Sequence, residues 1–244
     1  MPETKEKSKV HKLSIKGLHP SSTYVVSWLY KAYKITGSAK LVSEFFEYSI
    51  NSILFQRGVY PPEDFTTIKK YGLNMLVSAD DQVKAYIKKI MSQLKEWMQG
   101  GKISKLVVVI TSKETGEHVE RWQFDVEIFG KKSKSKSSQK AGDKENSTPG
   151  DAKPAEPIEK TEKQIQEEIQ AIFRQITASV TFLPVLDGDC TFNVLVYADA
   201  DSDVPVEWGD SDAKEIKNAE KVQLRSFSTN NHRVGTLVSY RLAD

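Results

Sequence analysis

The chain has 244 residues, of which 39% are hydrophobic and 28% charged, and its formal net charge is +2. That supplies one sizeable core and favours one domain with unstructured segments over two packed domains. The charge is too small to argue for nucleic acid, the single cysteine (Cys190) excludes an intramolecular disulfide and favours a reducing compartment, and no apolar run approaches the ~20 residues of a membrane span.

The first residues, MPETKEKSKVHKLSIKG, hold no apolar core of a signal peptide, and the early apolar stretch STYVVSWLY is too short to cross a bilayer. The spacing predicts a helix over 38–56, with Ser38 as N-cap and Leu41, Val42, Phe45, Phe46, Ile50, Ile53 and Leu54 on an apolar face wide enough for a central, buried position. Pro61 and Pro62 end that region. A second helix is predicted over 80–98, with Val83, Ile87, Ile90, Leu94 and Trp97 on one side and Gly100 and Gly101 as its stop. Residues 105–110 and 118–129 are β-branched and aromatic on either side of the turn-rich SKETGE, so they read as an antiparallel hairpin covered by helices on one face.

Residues 130–160 contain no aromatic residue and one branched aliphatic side chain, Ile158, and are read as a disordered loop. Thr161 with Gln164 three positions later resembles a capping box and starts a third helix. Its apolar stripe is Ile165, Ile169, Ile172, Phe173, Ile176 and Val180, which leaves Arg174 and Gln175 facing outward. Strands follow over 180–198, broken by Pro184 and by the turn Asp187-Gly188-Asp189, with Cys190 to Tyr197 alternating. An Asp-rich segment over 200–221, interrupted by Pro205 and Gly209, is expected to be mobile relative to the core. Residues 222–242 read as two strands about Asn230-Asn231, a pair able to adopt the positive φ of a tight turn. The class is α+β, with three helices packed on an antiparallel sheet.

No catalytic constellation is visible: His11, His19, His118 and His232 are scattered, Cys190 has no motif around it, and neither a phosphate-cradling loop nor a metal-ligand spacing occurs. The chain reads as a non-enzyme with no cofactor.

The motifs EFFEYSINSILFQRGVYP (44–61), KLVVVI (105–110), ERWQFD (120–125), FRQITASVTFLPVL (173–186) and VQLRSFST (222–229) occur in one order. Together they resemble the HORMA-domain spindle-checkpoint proteins of the mitotic arrest deficient type, from about Lys34 to the C-terminus. The resemblance implies a HORMA fold over 38–244, interrupted by the loop 130–160, with a safety-belt region over 200–244. It also implies two arrangements of the C-terminal hairpin. In the open form the hairpin covers a sheet edge; in the closed form it crosses to the other side and encircles a partner peptide added as an extra strand.

By motif match, Arg174, Gln175 and Phe182 are expected in the surface through which an open and a closed copy dimerise. Ordinary exposure of the Arg-Gln pair and core packing of Phe182 are the alternatives. Trp122, Arg225, Leu237 and Tyr240 are assigned to the switch and belt. Packing is the stronger reading for Trp122, as it is for Trp97, and a solvated Arg225 stands beside one paired with an acidic group. The partners implied are a coiled-coil checkpoint receptor at the kinetochore, a WD-repeat activator of the anaphase-promoting complex, a second copy of the chain, and a HORMA-like adaptor with an AAA+ remodelling ATPase. Neither nucleic acid nor membrane is among them, and the compartments implied are nucleus, kinetochore and cytoplasm. An accessory HORMA subunit of translesion DNA polymerase, a static α+β scaffold and an unrecognised enzyme are the competing readings.

Two features depart from the family pattern. Leu13-Ser14-Ile15-Lys16-Gly17 and Tyr33-Lys34-Ile35-Thr36-Gly37 both resemble the short strand before the first helix, so residues 18–37 read either as an insertion within an extension over 1–37, such as a retained intron, or as a genuine extra element. Within 130–160, Lys144, Glu145 and Asn146 spell a KEN-type sequence beside Ser147-Thr148-Pro149. It is either a degron or a chance match in a charged loop.

Overall fold

The computed structural model describes residues 9–13, 37–129 and 160–242. Three helices cover one face of a sheet ordered β7-β1-β6-β4-β5-β10-β8, with β9 also on β10. The strands are β1 (Lys9–Leu13), β4 (Ile103–Ser112), β5 (His118–Ile128), β6 (Cys190–Ala198), β7 (Trp208–Asp210), β8 (Glu220–Gln223), β9 (Phe227–Ser228) and β10 (His232–Tyr240). A separate hairpin joins β2 (Phe65–Lys70) to β3 (Leu73–Ser78).

Helix α1 (Gly37–Gln56) lies at the centre, as its wide apolar face predicts, with Ala39, Val42, Phe45, Phe46, Ile50, Ile53 and Leu54 fully buried. Ser38 belongs to its first turn and does not cap it; the hydroxyl is directed to the C-terminal hairpin instead. Helix α2 (Asp81–Gln99) starts where Asp80 accepts from the Val83 N–H at 2.8 Å and stops at Gly100 and Gly101, the latter at φ +64°. Helix α3 (Glu162–Ala178) opens on the reciprocal Thr161–Gln164 capping box.

Val180 does not continue the α3 stripe. The chain tightens to a 3-10 turn over Ser179–Thr181, whose three-residue period rotates Ser179 inward and leaves Val180 exposed. Residues 182–189 form no strand; strand structure resumes at Cys190.

Among the described residues the strand preceding α1 is Lys9–Leu13, which overlaps the first of the two competing segments at Leu13 and pairs with residues 195–198 of β6. Residues 14–36, and with them most of the region read as an insertion, lie outside the described residues, as does the loop with Lys144, Glu145 and Asn146. The β2–β3 hairpin turns through Tyr71 and Gly72, both at positive φ.

One core joins the helices to the inward side chains of β4, β5, β6 and β10. The opposite face of the sheet carries a smaller cluster of Val107, Val109, Leu195 and Tyr197, against which Ala213 packs. Ala213 marks a strap: Asp210 of β7 and Glu220 of β8 stand at opposite ends of the sheet. Six strand spacings make about 29 Å and ten Cα steps reach at most about 36 Å, so the strap is long enough to cross the back face, where Ala213 packs. Residues ahead of the strap are anchored too. The Trp97 indole donates to the Asp203 carbonyl at 2.9 Å, and its ring meets Trp208 at 5.0 Å.

Candidate functional site

The edge of β5 is covered along its length by β10, through nine antiparallel pairs from His232↔Ile128 to Tyr240↔Glu120. Register fixes the faces: Val234, Val238 and Tyr240 point with Phe124, Trp122 and Glu120 into the helix-covered core. Leu237, opposite Gln123, lies on the back face and is half-buried. Leu237 and Tyr240, both assigned to the belt, therefore occupy opposite sides of the sheet.

β10 is itself backed along its outer edge by β8 and β9, so the C-terminal region forms a lid of three strands, two deep, over the β5 edge. Its main apolar anchor is Phe227, 1% exposed, whose ring meets Phe45 at 4.8 Å. Phe45 also contacts Phe124 and Phe173, so the lid reaches the centre of the core through one aromatic ring.

Polar contacts hold the lid to the helices. The Arg225 N–H donates to Gln175 Oε1 at 2.7 Å, and the Ser228 N–H donates to Glu168 Oε2 at 3.0 Å. Lys160 Nζ reaches Glu168 Oε1 at 2.5 Å and Ser228 Oγ at 2.6 Å. The Ser38 hydroxyl lies 2.6 Å from both Thr229 Oγ1 and His232 Nδ1. Thr229 closes the turn: its N–H donates to the His232 carbonyl at 2.7 Å, and its Oγ1 accepts from the His232 N–H at 2.9 Å. Asn230 and Asn231 are not at positive φ, because this threonine-centred network closes the connection in place of a two-residue hairpin turn.

His232 Nε2 and Thr236 Oγ1 are buried without a hydrogen-bond partner among the described residues. Burial pushes the His232 ring below the usual histidine range, so it docks neutral.

Trp122 is fully buried beneath Val238, and its indole donates to Glu120 Oε1 at 2.5 Å. Arg57 Nε donates to Glu120 Oε2 at 2.8 Å, and Arg57 Nη2 donates to the Pro184 carbonyl at 2.5 Å. Burial pushes the Glu120 carboxyl up, while the Arg57 guanidinium and the indole N–H pull it back. This cluster ties α1, the end of the β5 edge and the 182–189 segment together.

A second surface adjoins the lid. Arg174 is exposed, with its guanidinium 3.3 Å from Gln170 Oε1. Phe182 is 39% exposed and its ring lies 6.3 Å from that of Tyr240; Val180 and Val185 are exposed nearby in sequence. Of the outward-facing pair, only Arg174 is free toward solvent: Gln175 is half-buried and engaged by the Arg225 backbone. The Arg225 side chain itself is exposed. Glu168, Lys160, Ser38, His232, Arg57 and Glu120 escaped the reading of the sequence. Arg57, inside EFFEYSINSILFQRGVYP, and Glu120, inside ERWQFD, stand within motifs visible in the sequence.

Among the described residues no helix is long and apolar enough to cross a membrane and no acidic, histidine and cysteine cluster is fit for a metal ion.

The HORMA domain family model matches residues 38–232. "Mitotic spindle checkpoint component mad2" of Schizosaccharomyces pombe is 55% identical over 210 residues, covering 86% of this chain and 95% of that protein. "Mitotic spindle assembly checkpoint protein MAD2A" of Homo sapiens is 45% identical over 208 residues, covering 85% and 92%. A chain in "Crystal Structure of Mitotic Checkpoint Complex" superposes with a TM-score of 0.71 at 54% identity, covering 84% of this chain and 99% of that one.

Proposed function

Because the chain belongs to the HORMA-domain family, among the MAD2 spindle checkpoint proteins, we propose that it is a checkpoint adaptor whose C-terminal strap and lid encircle a partner peptide on the β6 edge. The carrying observation is the path of the chain: β1 lies between β6 and β7, and from β7 the strap crosses the back face to β8–β10 on the far edge, so the strand on β6 is enclosed. This arrangement corresponds to the closed form, with β1 standing where the peptide adds. An extended peptide replaces the backbone hydrogen bonds of β1, and side-chain pockets select the sequence.

In the open form the lid leaves β5 and the strap no longer crosses the sheet. The β6 edge has room for a longer partner than β1, which pairs with only residues 195–198 of its nine-residue length. Docking the lid on β5 closes the strap around the peptide and makes release require the lid to unpack. The peptide biases the equilibrium only by its preference for the closed packing. As an adaptor of this branch, the chain is converted at unattached kinetochores by a closed copy on a coiled-coil receptor, captures the WD-repeat activator of the anaphase-promoting complex and delays anaphase. Arg174, Gln175 and Phe182 form the face for the second copy. A HORMA-like adaptor with an AAA+ ATPase reopens the closed form, and the chain works between nucleus, kinetochore and cytoplasm. The translesion-polymerase and static-scaffold readings are less favoured, since the checkpoint relatives match over nearly their full lengths.

Anion-exchange and size-exclusion chromatography with and without an activator peptide tests this. Two slowly interconverting species that collapse into one peptide-bound form are expected. A single species indifferent to peptide would contradict it.

A further inference from the structure

We propose that β1 is a resident ligand of this chain's own belt, that residues 18–37 supply the length that lets it reach there, and that a partner peptide is captured in competition with it. The backbone of β1 is paired on both edges. Lys9 to Lys12 stand opposite Ala198 to Leu195 of β6, and His11 to Leu13 stand opposite Asp210 to Trp208 of β7. Among the described residues β7 pairs with no other strand. Its position is nevertheless fixed, since the Trp208 ring meets that of Trp97 on α2. An empty belt would therefore leave a slot between β7 and β6 with a row of unpaired backbone groups on either side, and β1 fills it. This inference deepens the reading of the β6 edge as the peptide site and rests on it.

The length of the chain decides whether β1 can stand there. Lys12 shares one row with Leu195, Val107, Gln123 and Leu237, so Leu13 lies in the row of Val238. Four strand spacings across the sheet and six residues along β10 separate it from His232, about 28 Å in a flat sheet. Ser38 at the head of α1 touches His232, a contact that bridges at most about 9 Å between the two Cα atoms. Joining Gly17 directly to Ser38 would leave five Cα steps from Leu13, at most about 18 Å, and the straight line between the two ends runs through the core beneath the helices. Such a chain cannot place β1 on β6, whereas residues 18–37 lengthen the path well beyond the gap. Tethering then presents β1 to the belt at an effective concentration set by that path, and any free peptide must compete against it. Because β1 pairs with only four of the nine residues of β6, a peptide that also runs along residues 190–194 displaces it by making bonds that β1 leaves unmade.

The test is binding of a labelled activator peptide, followed by fluorescence anisotropy, to the full chain, to His11→Pro with Lys12→Pro, and to the chain lacking residues 18–37. The two prolines remove an N–H from each edge of β1; the deletion leaves its sequence intact but out of reach. Occupancy of about 90% by β1 lowers the apparent affinity of a free peptide about ten-fold, so both variants are expected to bind about ten-fold tighter than the full chain. Amide hydrogen exchange without peptide gives the second readout. His11, Lys12 and Leu13 should be protected in the full chain and unprotected after the deletion, with β4 and β5 protected in both. Equal affinities overturn the competition, and equal protection of these three amides overturns the residence of β1 in the belt. If none of the three proteins binds peptide while β4 and β5 stay protected, the reading of β6 as the peptide site falls instead, and β1 as an internal occupant is decided by its amides alone.

Discussion

The frame made by α1, α2, α3 and strands β4 to β6 and the lid made by β8 to β10 share one sheet, yet they are held by different kinds of bond. The frame rests on side chains with no substitute. Phe45 meets Phe46, Phe124 and Phe173, and the Arg57–Glu120–Trp122 cluster is buried at the end of β5. The lid adds to a few buried side chains, Phe227, Val234, Val238 and Tyr240, a backbone ladder that any extended chain reproduces and polar contacts from Ser38, Lys160, Glu168 and Gln175. It also keeps His232 Nε2 and Thr236 Oγ1 buried without a partner among the described residues. A region that must exchange partners uses bonds that are generic, and a region that must not uses bonds that are particular.

Removing the ring where the two regions meet tests this most severely. Phe45→Ala should cost about 4 kcal/mol of global stability in urea unfolding, because it empties the aromatic centre of the frame. Phe227→Ala, removing the other half of that contact, should instead loosen the lid, seen as lost amide protection along β10 with β4 and β6 protected as before. Equal global losses from both would erase the distinction.

Arg57→Ala sharpens it from the frame side. The variant leaves Glu120 buried without its cation, and about 3 kcal/mol of destabilisation is expected from equilibrium unfolding. A loss below about 1 kcal/mol, the range of an exposed pair, would show that this cluster is not part of the frame.

The smallest effect is on the lid alone and depends on pH. His232 is depressed by burial, so below the ordinary histidine value of about 6.5 the released lid binds more protons than the docked one. Docking is therefore at full strength above that pH and weakens as pH falls. Opening free energies from hydrogen exchange, corrected for intrinsic rates, should fall between pH 7.5 and 5.5 for β10 and stay level for β4. Thr236→Val, which leaves His232 in place, should keep that pH dependence; His232→Gln should lose it.

The frame was more legible in the sequence than the lid for the same physical reason. Helical periodicity carries α1, α2 and α3, and the Thr161–Gln164 box and Asp80 lie at their starts. The β2–β3 hairpin gave no such signal: β2 is mostly exposed, and its turn uses Tyr71 in place of the usual Asn or Asp before Gly72. Strand β1, with three polar residues in KVHKL, gave little more. Polar side chains read as surface, so Ser38, Arg57, Glu120 and His232 were unreadable as interior contacts; their partners lie far away in sequence. Gln175 was legible as outward-facing on the helical wheel, but the Arg225 N–H that occupies it arrives only with the tertiary fold.

The central claim is that the lid must leave β5 before a peptide can be captured. Arg233 and Glu127 are directly paired across β10 and β5, and both are exposed, so Arg233→Cys with Glu127→Cys places a disulfide across that ladder at the surface. Peptide capture by this double variant, measured on size-exclusion chromatography before and after reduction, is the direct test. The account predicts no capture when oxidised and parent-like capture once reduced; capture by the oxidised chain equal to that of the reduced one would contradict it.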